Sequence, residues 1–233
     1  MKDILEKGAI IQRDKETYAI APHTPGGLVT PDILRKVADV AEKYGAAALK
    51  LTSAERIAIV GLKEEDLDKA WTDLGMQPGH AIGICVRSIK FCPGTTFCKR
   101  GQQDSVGLGL ELDKLYHGMT MPGKTKMGVS GCMNSCAEST IKDIGLIGKP
   151  KGWTLLVGGC ATGARSRIAD VLVENLTAEQ AKELVARVLA YYKVNGKPNQ
   201  RLGRLIEEIG LEELKKAVLT EEFLATDSDK AIS

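Results

Sequence analysis

Four of the chain's six cysteines stand in two pairs. Cys92-Pro93-Gly94-Thr95-Thr96-Phe97-Cys98 has C-x5-C spacing, and Cys132-Met133-Asn134-Ser135-Cys136 has C-x3-C spacing. Four thiolates converging on one point can hold zinc or an iron–sulfur cluster, because soft anionic sulfur suits both. Zinc ribbons usually use tighter C-x2-C knuckles. Wider gaps suit a cubane, whose irons lie apart and need ligands from different directions. The spacing favours a cluster and leaves zinc, or plain buried thiols, open. Cys85 and Cys160 fall outside the pattern and read as small buried hydrophobes.

Two lysines come just before the second pair, in Pro122-Gly123-Lys124-Thr125-Lys126. Being two apart on an expected strand, Lys124 and Lys126 face one side. That makes either an anion site or an ordinary solvated basic edge. His80 and His117 fall in no motif, and nothing in the sequence points to a histidine-ligated metal.

The elements that must position these residues follow from length and periodicity. The chain has 233 residues, 43% hydrophobic and 27% charged, enough for a buried core in one domain or two small ones. Its formal net charge is +2, so no global basic excess marks a nucleic-acid or membrane partner, and an anion site must be local. Aromatics make up 4%, which argues against stacking platforms for single strands. No apolar run reaches the roughly 18 residues of a membrane span. The first residues, Met1-Lys2-Asp3-Ile4-Leu5-Glu6-Lys7, carry no apolar signal region. The expectation is a cytoplasmic protein, where disulfides are rare and cysteines need another use.

Short strands are expected within 9–12 and 17–20, followed by a turn at Pro22–Gly27. Thr30-Pro31 caps a helix running to about Tyr44, and Gly45 ends it. Two strands (47–51 and 56–60), a helix (64–74, stopped by Gly75) and a strand at 82–86 complete a β-α-β-β-α-β order from Thr17 to about Ser88. This is the ferredoxin-like split βαβ arrangement. The second half predicts a helical stretch over 95–116 and a turn at 117–123. Strands are expected at 126–129, 143–147, 154–157 and 171–174. Thr177-Ala178-Glu179-Gln180 is a capping box opening a helix with Ala181, Leu184, Val185, Val188, Leu189 and Tyr192 on one face. Helical pieces at 204–209 and 212–218 follow, and a frayed tail is expected from about Thr226.

The flanks of the cysteine pairs narrow the choice. Val86-Arg87-Ser88-Ile89-Lys90-Phe91-Cys92-Pro93 leads into the first. Val129-Ser130-Gly131-Cys132-Met133-Asn134-Ser135-Cys136-Ala137 surrounds the second, and Asp143-Ile144-Gly145-Leu146-Ile147-Gly148 follows. With Leu156-Val157-Gly158-Gly159, these resemble the sirohaem and 4Fe-4S region of the sulfite and nitrite reductase family. Pro25-Gly26-Gly27-Leu28-Val29-Thr30 and Leu51-Thr52 resemble that family's ferredoxin-like half-domain. The resemblance covers roughly residues 8–200.

The resemblance implies an α+β fold: a ferredoxin-like half-domain at 8–80, a sirohaem/4Fe-4S-binding half-domain at 81–200, and a helical C-terminal extension and tail at 201–233. It implies that Cys92, Cys98, Cys132 and Cys136 ligate a 4Fe-4S cluster, with Cys136 also bridging to the sirohaem iron. Lys124 and Lys126 match the family's paired substrate lysines, and Arg87 an arginine that contacts the bound anion. Lys50 stands where members usually carry another arginine; it keeps the charge and loses the planar fork. These groups would bind sulfite or nitrite and supply protons for the reduction. Sirohaem carries eight carboxylates. Arg100, Lys149, Arg165 and Arg167 are candidates to meet them, although each alone could be an ordinary surface charge. Gly158 and Gly159 would allow close backbone approach. His23 stands where the family often has arginine, and as a lone histidine it reads as structural or solvated.

No G-x-G-x-x-G follows a strand, and no second set of four cysteines is visible, so electrons must come from an external low-potential donor such as ferredoxin. Larger members carry two tandem copies of this unit and this chain carries one. The resemblance therefore suggests a C2 homodimer in which basic groups of one chain face the sirohaem of the other, with a monomer holding a self-contained pocket as the rival. The implied activity is reduction of sulfite to sulfide. Nitrite reduction is the close alternative, and a non-catalytic sirohaem/Fe-S electron-transfer subunit the more distant one.

Overall fold

Thr30 ends an extended segment and caps α1 (Pro31–Lys43): its hydroxyl accepts the Ile33 N–H at 3.3 Å, and Pro31 takes the first helical position. The structure, a computed structural model, describes residues 2–163 and 165–220; the tail expected to fray from Thr226 lies outside the described residues. The chain divides into two units: Met1–Lys90 with Gly109–Thr120, and Phe91–Leu108 with Met121–Ser233.

In the first unit, β1 (Ile10–Ile11), β2 (Tyr18–Ile20), β3 (Ala48–Leu51) and β4 (Ile57–Leu62) form an antiparallel sheet in the order β1-β2-β4-β3. Its core joins Tyr18 and Ile20 of β2, Val37 and Val40 of α1, Ile59 and Leu62 of β4, and Leu67 and Leu74 of α2 (Leu67–Leu74). Each such buried aliphatic side chain contributes about 1.5–3 kcal/mol. The edge strand β3 is exposed at all four positions, Lys50 among them.

The strand expected at 82–86 does not form. Arg87 reaches back to the carbonyls of His80 (2.6 Å) and Gly83 (2.7 Å), which curls this stretch, and only an isolated bridge joins Cys85 to Thr120. β1 instead fills the place beside β2 that a fourth split-βαβ strand would take.

In the second unit the sheet runs β5-β6-β7-β8-β9, from β5 (Lys90–Phe91) through β6 (Met127–Ser130), β7 (Ile144–Lys149), β8 (Gly152–Val157) and β9 (Asp170–Leu176). β6 and β7 are parallel; the later pairs are antiparallel. The helix expected over 95–116 is broken into α3 (Gly94–Phe97) and α4 (Ser105–Tyr116). The break has a cause: the N–H groups of Gln102 and Gln103 both donate to the Gly131 carbonyl, at 2.8 and 3.0 Å, instead of continuing the helix. Asp104 then caps α4 by accepting the Gly107 N–H at 2.9 Å.

The capping box forms as expected. Thr177 Oγ1 accepts the Gln180 N–H at 3.2 Å, and Gln180 Oε1 accepts the Thr177 N–H at 2.8 Å. α5 (Ala178–Asn195) buries all six residues of its expected apolar face. α6 (Leu202–Ile209) and α7 (Leu211–Val218) pack within the same unit. Among the described residues, no helix is long and apolar enough to cross a membrane.

Candidate functional site

The two cysteine pairs sit on loops that are bonded to each other. The Gly131 N–H donates to Cys92 Sγ at 3.1 Å, and Ser105 Oγ lies 3.4 Å from the same sulfur. The second loop is shaped by Ser135 and Glu138, both in left-handed conformation. It is pinned where it leaves: Ser139 Oγ meets Ser130 Oγ at 2.8 Å, and Ser130 Oγ accepts the Ala137 N–H at 3.1 Å. Gly145 on β7 makes this possible, because a Cβ there would lie 2.1 Å from the Ser139 carbonyl oxygen. Cys132 is buried, Cys92 and Cys98 are half-buried, and Cys136 is exposed, where its sulfur can be shared with a second group.

The donor set, four thiols on two mutually bonded loops, suits a cubane. Around zinc, thiolates at about 2.3 Å stand roughly 4 Å from one another. Among the described residues, the trio of His, Cys, Asp or Glu gathered within 4.8 Å is His23, Asp113 and His117, and contains no cysteine. The Ser135 hydroxyl, beside Cys136, is buried without a hydrogen-bond partner, as a group waiting on an acceptor would be. Cys85 is a buried thiol whose burial raises its pKa, in keeping with a core role.

Lys124 and Lys126 lie on the approach to β6 rather than on a strand, yet they keep the expected alternation. Thr125 between them is buried, with its hydroxyl donating to the Gly123 carbonyl at 3.1 Å. Lys124 is exposed and Lys126 half-buried. Burial, then the charges of Lys124, Lys142 and Arg201, hold the Lys126 ammonium below its ordinary range. Its backbone N–H donates at 2.7 Å to Asp143, a fully buried carboxylate that Arg201 grips from Nε (2.9 Å) and Nη2 (2.5 Å). Burial pushes Asp143 up, and Arg201 pulls it back.

A cavity of about 600 Å³ opens beside Lys124. Its cations are Lys124, Arg165, Arg167, Arg201 and Arg204, and Gly158 and Cys160 also line it. Arg167 is held by Asp170, by Glu207 (3.4 Å) and by the Gly158 carbonyl (3.1 Å). Four or more cations around one space suit a polycarboxylate. Lys149 pairs instead with Glu174, and Arg100 is exposed. The missing Cβ atoms of Gly158 and Gly159 admit neighbouring parts of the chain: Gly203 and Arg167 at Gly158, the Lys142 backbone at Gly159.

Arg201 and Arg204 were not among the sequence candidates. They stand at the start of α6, where a cation opposes the helix dipole, and that mismatch is the one local signal. In the first unit, Arg87 is buried and Lys50 exposed. Arg56, also missed, is buried with its guanidinium on the Gly79 carbonyl; burial, then the nearby Arg87, lowers its pKa. The three histidines also surprise: they gather with Asp113 in the first unit. Burial, with His23 beside it, drives His117 down to about 4.

Comparison with known proteins agrees with this geometry. Residues 82–225 match the "Nitrite and sulphite reductase 4Fe-4S domain", and residues 10–77 the "Nitrite/Sulfite reductase ferredoxin-like half domain". The chain is 45% identical over 213 residues to an assimilatory-type sulfite reductase of Nitratidesulfovibrio vulgaris, covering 91% of this chain and 97% of that one. It is 40% identical to a nitrite reductase [NAD(P)H] of Bacillus subtilis, covering 90% of this chain and 26% of the relative. The fold matches dissimilatory sulfite reductase I with a TM-score of 0.79 at 16% identity, covering 88% of this chain and 69% of that one. The family's cofactors are a 4Fe-4S cluster and sirohaem, and the chain belongs to the nitrite and sulphite reductases.

Proposed function

We propose that this chain reduces sulfite to sulfide, with electrons from an external low-potential donor such as ferredoxin. The observation that carries the substrate is the match to nearly the whole length of an assimilatory-type sulfite reductase. The bond between the two cysteine loops supports the cofactor reading.

Cys92, Cys98, Cys132 and Cys136 would hold the cluster, and the exposed Cys136 would be shared with sirohaem. When bound, the two groups would supply a redox-active iron for the anion and stepwise electrons for a six-electron reduction. The chain's own residues bind and protonate the anion. Lys126, held below the ordinary lysine range, gives up a proton more readily than a solvated lysine, and Lys124 adds charge beside it. Arg87, made rigid by the His80 and Gly83 carbonyls, and Lys50 are the further cations that the family resemblance assigns to anion binding. Arg165 and Arg167, with Arg201 and Arg204, would face the macrocycle's carboxylates in the basic cavity. Arg100 and Lys149 would meet others, and Gly158 and Gly159 would keep the backbone close.

The test is an absorption spectrum with iron, zinc and acid-labile sulfide analysis, then turnover with a reduced viologen dye. Isobacteriochlorin bands, iron and sulfide are expected, with sulfite preferred over nitrite. Lys124→Ala,Lys126→Ala should keep the cofactors and lose turnover. Zinc alone, without those bands, would overturn the reading. Nitrite is the second reading, favoured by the match to the Bacillus subtilis enzyme; nitrite turnover exceeding sulfite would establish it. Full cofactor loading without turnover would mark a carrier subunit. For the proposed homodimer, Lys124→Ala,Lys126→Ala chains are mixed with Cys136→Ser chains. Activity recovered in the mixed dimer places the site in trans.

A further inference from the structure

The chain has three histidines, and all three meet in the first unit. His23 precedes the Pro-Gly-Gly turn, His80 lies in the loop after α2, and His117 directly follows α4. The rings of His23 and His117 stack at 3.6 Å with 9° between their planes. His80 stands edge-on to His117 at 4.8 Å. Asp113, one turn before His117, is buried. Its Oδ2 is 2.7 Å from His23 Nε2, and its Oδ1 accepts the Ile89 N–H at 3.2 Å. A cavity of about 560 Å³ borders the group.

The hydrogen bonds define which ring nitrogens carry protons. A carboxylate only accepts, so a neutral His23 carries its proton on Nε2 and a lone pair on Nδ1. The Gly79 backbone bonds His117, which leaves His117 Nε2 as the second lone pair. Both atoms, His23 Nδ1 and His117 Nε2, are buried without a partner. A histidine that only fills a core pairs its buried nitrogens. Here each ring commits one nitrogen to an orienting acceptor and leaves the other open. Metal-ligating histidines are held in this way, with the second N–H on a carboxylate or a backbone carbonyl. One ligand atom from each of His23, Asp113 and His117 lies within 4.8 Å of the others.

We propose that His23 Nδ1 and His117 Nε2 bind a divalent first-row transition ion, with Asp113 holding His23 from the far side and His80 the nearest further imidazole. Imidazole nitrogen suits zinc, nickel, copper and iron. The lone pairs of parallel rings do not meet at one point, so binding splays the stack from its 9°. The site belongs to the first unit and the cysteine loops to the second, and the proposal rests on no assumption about the substrate.

Zinc is the probe. Untagged, cofactor-loaded protein is dialysed against Zn²⁺, the bound zinc counted by mass spectrometry and its neighbours read by X-ray absorption at the zinc edge. About one bound zinc per chain is expected, with imidazole scattering and no sulfur neighbours. That scattering can come only from these three residues, since the chain has no other histidine. His117→Phe keeps a ring in the stack without a nitrogen and should abolish binding. Asp113→Asn should weaken it by about 10–100-fold, the usual effect of losing an orienting partner. Sirohaem and cluster absorption show whether each variant is folded. Should His117→Phe not hold its cofactors, His23→Gln reads the same loss. No zinc uptake, sulfur neighbours, or unchanged uptake in a folded variant lacking either nitrogen overturns the proposal.

Discussion

The backbone N–H of Gly131 points at the sulfur of Cys92, 3.1 Å away, so the residue before the second cysteine pair is bonded to the first. Hydrogen bonds to cluster sulfurs are one of the means by which a protein tunes an iron–sulfur centre. There is no room at this position for a side chain. A Cβ on Gly131 would lie 2.7 Å from Gly94 Cα and 2.7 Å from the Gln103 carbonyl oxygen. Gly131→Ala should therefore force the loops apart, at about 1–3 kcal/mol for overpacking. The variant is expected to melt earlier than the parent and to carry less iron and acid-labile sulfide. Full loading at unchanged stability would show that the loops do not depend on this contact.

Asp143 and Arg201 form a deeply buried ion pair, with side-chain exposures of 1% and 16%. Removing one partner of such a pair leaves an uncompensated charge and is destabilising by about 3–5 kcal/mol. Arg201→Met alone should show a loss of that order in urea unfolding. The double variant Asp143→Leu,Arg201→Met should lose less than the sum of the two single changes. Strict additivity would mean that the pair contributes no coupling.

Tyr192 sets a limit at alkaline pH. Burial, then the Asp143 charge, pushes its hydroxyl up to about 12 from an ordinary value of 10.0. Between those values the unfolded chain has released the proton and the folded chain retains it. Stability should thus hold below about pH 10 and fall as pH rises through the folded value. Tyr192→Phe removes this titration. It also removes the hydrogen bond donated to the Gln200 carbonyl, lowering stability by about 1 kcal/mol at neutral pH. Unfolding free energies measured from pH 8 to 11 should show a shallower alkaline decline in the variant; parallel curves would contradict the assignment.

The capping box at α5 offers a local test. Thr177→Ala deletes the acceptor for the Gln180 N–H and should lower stability by about 1 kcal/mol. Thr177→Ser retains the oxygen and should restore most of it. Both are read as shifts in the denaturation midpoint at unchanged slope.

Local rules made much of this protein legible before any fold was known. Thr30-Pro31 and Thr177–Gln180 announce helix starts because a cap needs only neighbouring residues. The apolar face of α5 follows from a 3.6-residue period, and the two cysteine spacings follow from the chain alone. These features, with the motifs around them, were enough to reach the family.

What failed to show in the sequence depended on distant partners. The helix expected over 95–116 breaks because Gly131, far along the chain, accepts hydrogen bonds from Gln102 and Gln103. The strand expected at 82–86 is lost because Arg87 folds back onto carbonyls. Arg201 reaches Asp143 across 58 positions, and no spacing rule links them. The histidines are the clearest case. His23, His80 and His117 share no motif, since their relation is set by where a turn, a loop and the end of α4 come together. Sequence determines chemistry that neighbouring residues can complete; tertiary structure alone decides which lone pairs and charges, far apart in the chain, share one buried space.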